Sequence, residues 1–179
     1  MKAFLDYLTE ADAYTDASYA GKDTPPLLCA LTDDTYKNVW QRRTRARRPL
    51  SETEENTQLA TLGDAVLKLA LAETLYAELL SGRIENVTVE KQRYESDRVL
   101  VTVVGRHYGI LSHLRCNTEV ARQDYDYTGD EHKHIATAAE AVLGAIYLMD
   151  GWDAARAVVD EWRALIDASA CARREKKRR

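Results

Sequence analysis

The chain has 179 residues, a length suited to one domain, since ~100–200 residues per domain is usual. Hydrophobic residues make up 45% and charged residues 30%, a balance that excludes both a disordered polyampholyte and a membrane protein. Formal net charge is −4, yet it is unevenly spread: residues 41–49 (QRRTRARRP) hold five arginines and no acid, residues 173–179 (RREKKRR) hold six bases and one acid, and the remainder carries 14 bases against 28 acids. An acidic body with two basic patches is the electrostatic footprint of a polyanion ligand. The C-terminal run reads equally well as a solvated tail.

Glycine (8) and proline (3) are scarce and β-branched alternation is nearly absent, which predicts an all-α fold. The N-terminal MKAFLDYLTEAD carries acids where a signal peptide carries lysines, and the longest apolar stretch, Ala141–Met149, is about half the ~20 residues of a bilayer-spanning helix. A cytoplasmic protein is expected. A short amphipathic helix over Lys2–Leu8 leads into a polar loop, Thr9 to Pro26, and Leu27–Leu31 forms an apolar turn. Thr32 begins a helix to about Arg43 with Asp33 and Asp34 in its first turn and Tyr36, Val39 and Trp40 inward. Ser51 and Glu54 have capping-box spacing for a helix to about Leu80, stopped by Ser81–Gly82, with Leu59, Leu62, Val66 and Leu69 as its buried stripe. Thr88 caps the next helix, whose inward residues include Tyr94, Val101 and Val104, with Gly105 and Gly109 marking its end. An irregular stretch from Leu114 to Glu131 precedes a helix from His132 to Asp150, broken by Gly151, and a last helix covers Asp153–Asp167. One domain over 27–169 is expected, with an N-terminal extension (1–26) and a basic tail (170–179).

Three cysteines, Cys29, Cys116 and Cys171, show no CxxC spacing and read as reduced thiols rather than a disulfide or zinc framework. His132 and His134, at i and i+2, do not share a helix face, so they are not a metal pair. His107 and His113 read as structural or exposed.

The informative feature is a pair of acids in the most hydrophobic parts of the chain. Asp64 sits in LGDAVLKLAL and Glu140 in ATAAEAVLGAIYL, each followed by Ala-Val-Leu. A carboxylate withdrawn from water must be paired, protonated or bound to a cation. Gly63, Ala138, Ala139, Ala141 and Gly144 are small enough for two helix backbones to approach closely and bring the acids together. Two hard oxygen ligands, with the other positions left to water, describe a Mg²⁺ site suited to phosphodiester hydrolysis. In the competing structural reading, Asp64 pairs with Lys68 or caps a kink at Gly63, and Glu140 meets a distant base.

These residues also carry a resemblance. NTQLATLGDAVL at 56–67 resembles the signature helix of the ribonuclease III family, and IATAAEAVLGAIYL at 135–148 resembles its second acidic helix. ALTDDTYKN at 30–38 and VTVEKQRYESDRVL at 87–100 are similar to the segments that precede and separate them, so the likeness runs in order from about residue 28 to 168. Ala60 and Thr137 stand where the longer enzymes carry two further acids, a pattern similar to Mini-ribonuclease III, which also lacks the appended double-stranded-RNA-binding domain. The resemblance implies an all-α homodimer that cuts double-stranded RNA to 5′-phosphate and 3′-hydroxyl ends with Mg²⁺, or Mn²⁺ as a substitute, and that processes precursor ribosomal RNA. Asp64 and Glu140 would ligate the metal and serve catalysis. Thr137 has two readings, a hydrogen bond to metal-bound water or one to its own helix backbone. Arg42, Arg43, Arg45, Arg47, Arg48, Arg173, Arg174, Lys176 and Lys177 are the candidate contacts to RNA phosphates. The alternative is a catalytically inactive protein of the same fold, acting as an RNA-binding or ribonucleoprotein assembly factor.

Overall fold

Two long helices form the frame of the computed structural model, which describes residues 2–14, 24–44, 50, 54–117 and 132–178. In chain order the helices are α1 (Phe4–Asp12), α2 (Pro26–Ala30), α3 (Lys37–Thr44), α4 (Asn56–Leu80), α5 (Val87–Glu95), α6 (Asp97–Val99), a π-helical stretch (Leu100–Gly105), α7 (Arg106–Tyr108), α8 (Ile110–His113) and α9 (Lys133–Arg178). No strand occurs among the described residues, only an isolated bridge between Thr32 and Arg115. No helix among them is long and apolar enough to cross a membrane.

The run of α4 is rich in Leu and Ala, both strong helix formers, but its cap differs from the expected capping box. Glu55 is the N-cap, its carboxylate accepting from the Thr57 N–H at 3.0 Å and the Thr57 hydroxyl at 2.6 Å. The Asn56 N–H donates to the Thr32 carbonyl at 2.9 Å, beside the bridge where Arg115 N–H donates to Leu31 O and Asp33 N–H to Arg115 O. This tertiary anchor fixes where the helix starts. Ser51 lies outside the described residues, as do Arg45, Arg47, Arg48 and the 125–130 loop.

The buried stripe of α4 is rotated from the expected one. Ala60, Gly63, Val66, Leu67, Ala70, Leu71 and Leu75 face inward, Leu59 and Leu62 are half-buried, and Leu69 is 53% exposed. The rotation follows from backbone contact with α9. A Cβ built on Gly63 would lie 1.7 Å from the Glu140 carbonyl oxygen, and one on Gly144 would lie 2.4 Å from the Leu59 carbonyl oxygen. Helices that touch through glycine must present the glycine face, so the larger leucines swing to its flanks.

The other helix limits also shift. α1 runs to Asp12 and is part of the core, with Phe4, Tyr7, Leu8 and Ala11 buried. Phe4 meets Trp162 edge-on at 5.1 Å and Tyr108 at 4.8 Å. The Tyr7 hydroxyl donates to Asp150 at 2.6 Å and the Tyr108 hydroxyl to Glu161 at 2.5 Å. Leu27–Leu31 is mostly helix, with Pro25 as N-cap and Pro26 at the first position. Asp33, rather than Thr32, caps the single turn Asp34–Tyr36 before α3. Asn86, rather than Thr88, caps α5 by accepting from the Val89 N–H. Gly105 does not end a helix: its missing Cβ leaves room for the Ile135 side chain, and the stop is Gly109, at φ +62°. Gly151, at φ +82°, kinks α9 as expected, but the helix then continues past Asp167 to Arg178, because Ala, Arg, Glu and Lys sustain it. Cys29 is buried, Cys116 half-buried and Cys171 exposed, and none of the three is in a disulfide.

Helix propensity alone predicts that Gly63→Ala stabilises by roughly 0.5–1 kcal/mol. The contact with Glu140 reverses the sign: urea unfolding should show a loss of about 3 kcal/mol or more from overpacking. Gly82→Ala, in open space at φ +72°, should lose only about 1–2 kcal/mol.

Candidate active site

The glycine contact sets Asp64 and Glu140 on adjoining faces of α4 and α9. Asp64 follows Gly63, and Glu140 is the residue whose carbonyl Gly63 abuts. Both side chains line one open cleft of about 450 Å³ together with Lys68, Gln92, Glu95, Ser96 and Asp97. The last four come from the end of α5 and the start of α6, where Ser96 is extended (φ −72°, ψ 139°) and interrupts the helical path. Four carboxylates therefore border the same space.

Their environments differ. Glu140 has no hydrogen bond or ion pair among the described residues. Burial first, then the charges of Asp64 and Asp97, push its carboxyl up from 4.5 to about 7, with Lys68 and Lys133 opposing. Asp64 is more open and accepts from Lys68 Nζ at 2.6 Å, in an i,i+4 pair whose side chains are 34% and 47% exposed. That hydrogen bond raises the Lys68 ammonium above its ordinary value. Glu95 is paired with Lys91 at 2.6 Å. Half of the competing structural reading is thus present, at Asp64, while Glu140 lacks the distant base. An exposed pair of this kind contributes about 0–1 kcal/mol, little enough for a divalent cation to displace it.

The donor set fits a hard cation. It offers carboxylate oxygens, neutral Gln92 and Ser96, and a desolvated Glu140 with no hydrogen-bond or ion-pair partner among the described residues. Among the described residues no group of three or more His, Cys, Asp or Glu side chains forms a ready-made metal cage. Mg²⁺ does not require one, since it keeps several waters and takes one or two carboxylates.

The model of the Ribonuclease III domain family matches residues 57–151, a span that contains all four acids. The chain belongs to the ribonuclease III family. It is 32% identical over 165 residues to Ribonuclease 3 of Corynebacterium jeikeium, covering 83% of this chain and 60% of that protein. It is also 32% identical over 157 residues to Ribonuclease 3 of Symbiobacterium thermophilum, covering 84% and 58%. The chain thus spans about 60% of the length of these curated relatives. The nuclease domain of Campylobacter jejuni ribonuclease III has the same fold, with a TM-score of 0.60 at 18% identity, covering 92% of this chain and 94% of that one.

Within this ribonuclease III domain the expected site residues are only partly gathered. Asp64 and Glu140 share the cleft. Thr137, half-buried one turn before Glu140, is not among the residues lining it. Ala60, where the longer enzymes carry an acid, is buried at 6% exposure. Arg42 and Arg43 are exposed in the last turn of α3, Arg42 Nε donating to the Asn38 carbonyl at 3.2 Å. Arg173, Arg174 and Lys176 are exposed along the end of α9 and do not line the cleft; the Lys177 side chain lies outside what the structure describes. Glu95 and Asp97 are the residues sequence reasoning missed, although two acids flanking a serine at a helix break were a readable signal.

The raised Glu140 carboxyl has a stability consequence with a definite sign. Between about pH 4.5 and 7 the folded chain holds a proton that the unfolded chain has released, so stability falls as pH rises through that window. The penalty is complete above it. Glu140→Gln should therefore stabilise the metal-free protein at pH 8 by about 2 kcal/mol, a figure discounted for solvent screening, and leave it unchanged at pH 4. Urea midpoints at the two pH values measure the difference.

Proposed function

We propose that the chain is a divalent-cation-dependent endoribonuclease that cleaves double-stranded RNA in the manner of Mini-ribonuclease III, with precursor ribosomal RNA as its substrate class. The observation carrying this reading is the shared cleft of Asp64 and a desolvated, unpaired Glu140, bordered by Glu95 and Asp97. Asp64 and Glu140 would hold Mg²⁺, with Mn²⁺ as a substitute. An ion held there would supply Lewis-acid charge for activating water and for offsetting charge on the leaving oxygen. Lys68, which lines the same cleft, would be freed from Asp64 by the cation and could then meet a phosphate oxygen. Hydrolysis by in-line water attack breaks the P–O3′ bond, leaving a 5′-phosphate on one product and a 3′-hydroxyl on the other. Thr137 would act only through the position of Glu140, one turn away. Arg42 and Arg43, together with Arg45, Arg47 and Arg48, would engage RNA phosphates, as duplex RNA is recognised by shape and backbone.

A homodimer suits this reading. Leu69, Tyr76 and Leu80 leave α4 with exposed apolar surface at 53%, 57% and 72%, and a second solved nuclease domain from Campylobacter jejuni ribonuclease III, with a TM-score of 0.58, is described as having a region involved in dimer formation. A second functional reading, an inactive RNA-binding or assembly factor, is favoured by the Lys68–Asp64 ion pair and by Ala60 and Thr137 at two acid positions.

Incubation with a plain RNA duplex in Mg²⁺ separates the two. Cleavage to 5′-phosphorylated products that falls by about 100-fold or more in Asp64→Asn and in Glu140→Gln, with circular dichroism unchanged, is the expected result. Binding without cleavage in Mg²⁺ and in Mn²⁺ selects the assembly factor.

A further inference from the structure

A second groove, of about 430 Å³, lies between the helical run after Asp97 and the last turns of α9. Arg106 and His107 line it from α7, and Arg173 and Lys176 from α9, over a floor that includes Val103 and Leu165. No acid lines it. Arg106, Arg173 and Lys176 form no ion pair among the described residues, and all three are exposed. Cations gathered without a counter-charge repel one another until an anion neutralises them, and a cleft of one sign with apolar, low-dielectric walls concentrates the field on that anion.

The groove is joined to the carboxylate cleft by one nearly continuous helical path. Asp97 borders the cleft and Arg106 borders the groove. They are nine residues apart, roughly 13 Å at 1.5 Å per residue. The acidic cleft repels a polyanion unless cations nearby hold it, so a cationic groove at this range fits a ligand whose charge is repeated along its length.

We propose that this groove grips the phosphodiester backbone of duplex RNA outside the cleft, with Arg106, Arg173 and Lys176 on successive phosphates. The inference rests on the RNA-cleaving reading for its ligand, and it gives the basic end of α9 a partner surface, in Arg106 and His107, that residues 173–179 alone do not reveal.

The test is the salt dependence of binding of a fluorescent RNA duplex, measured by anisotropy in EDTA. Removing phosphate contacts lowers the slope of log K against log salt by nearly one per contact. The triple variant Arg106→Ala, Arg173→Ala, Lys176→Ala should lose about 2–3 from the slope and at least about tenfold in affinity. A control triple of equal charge, Lys2→Ala, Arg83→Ala, Arg156→Ala, should keep the wild-type slope. The single variant Lys176→Glu, at an exposed position, should move in the same direction as the groove triple and serves if that triple does not fold. An unchanged slope overturns the groove, as does an equal loss in the control. Loss of binding to poly-glutamate with the RNA slope intact also overturns it, assigning the surface to an acidic protein. Cleavage by the wild-type chain is scored in parallel. RNA cut with an unchanged slope removes the groove alone, and a lowered slope in a chain that never cuts RNA keeps the groove while removing the nuclease reading.

Discussion

Direct contact between the backbones of α4 and α9 governs this structure. Gly63 lies against the Glu140 carbonyl and Gly144 against the Leu59 carbonyl, so neither helix has a side chain between them at this crossing. Side chains at a helix crossing normally hold the axes 8–10 Å apart. Where two glycines meet, the axes can come closer, and residues next to the contact become neighbours. Asp64 and Glu140 are those residues. The rotated buried face of α4, with Leu67 and Leu71 inward and Leu69 outward, follows from the same crossing.

Proximity has an electrostatic cost. Glu140 is desolvated and faces Asp64 and Asp97, and its carboxyl rises accordingly. A protein selected only for stability would pair or replace such a group. The fold instead gives an ion-pair partner to just one acid of the pair, a lysine on the same helix as Asp64, and leaves the other with none among the described residues. Destabilisation concentrated at one cleft, in a core otherwise filled by Trp162, Phe4 and a dense set of Leu, Val and Ala side chains, is the pattern expected where function is bought with stability.

Much of this was legible from local features. The repeated acid-Ala-Val-Leu tetrads, set among small residues, announced both the close approach and the paired acids. Those signals survive because burial and backbone contact leave compositional marks. The parts that were not legible depend on tertiary partners. The start of α4 is set by Asn56 bonding to Thr32, a partner far away in sequence, so Ser51 and Glu54 misled. The burial of Leu69 could not be judged by periodicity, because a stripe of leucines gives a helix face but not the glycine crossing that rotates it. Glu95 and Asp97 reach the cleft because α5 lies beside α4 and the chain breaks at Ser96 before continuing along α9. The end of α9 was misjudged for another reason: a basic run resembles a solvated tail, whereas its residues also propagate helix.

The central claim is that the glycine crossing holds Asp64 and Glu140 together as the ligands of one hard cation. Anomalous difference density from crystals soaked in Mn²⁺ tests it most directly. The account predicts a peak between the two carboxylates, with Lys68 withdrawn from Asp64. An empty cleft with the Lys68–Asp64 pair intact, or a peak bound elsewhere in the molecule, would contradict it.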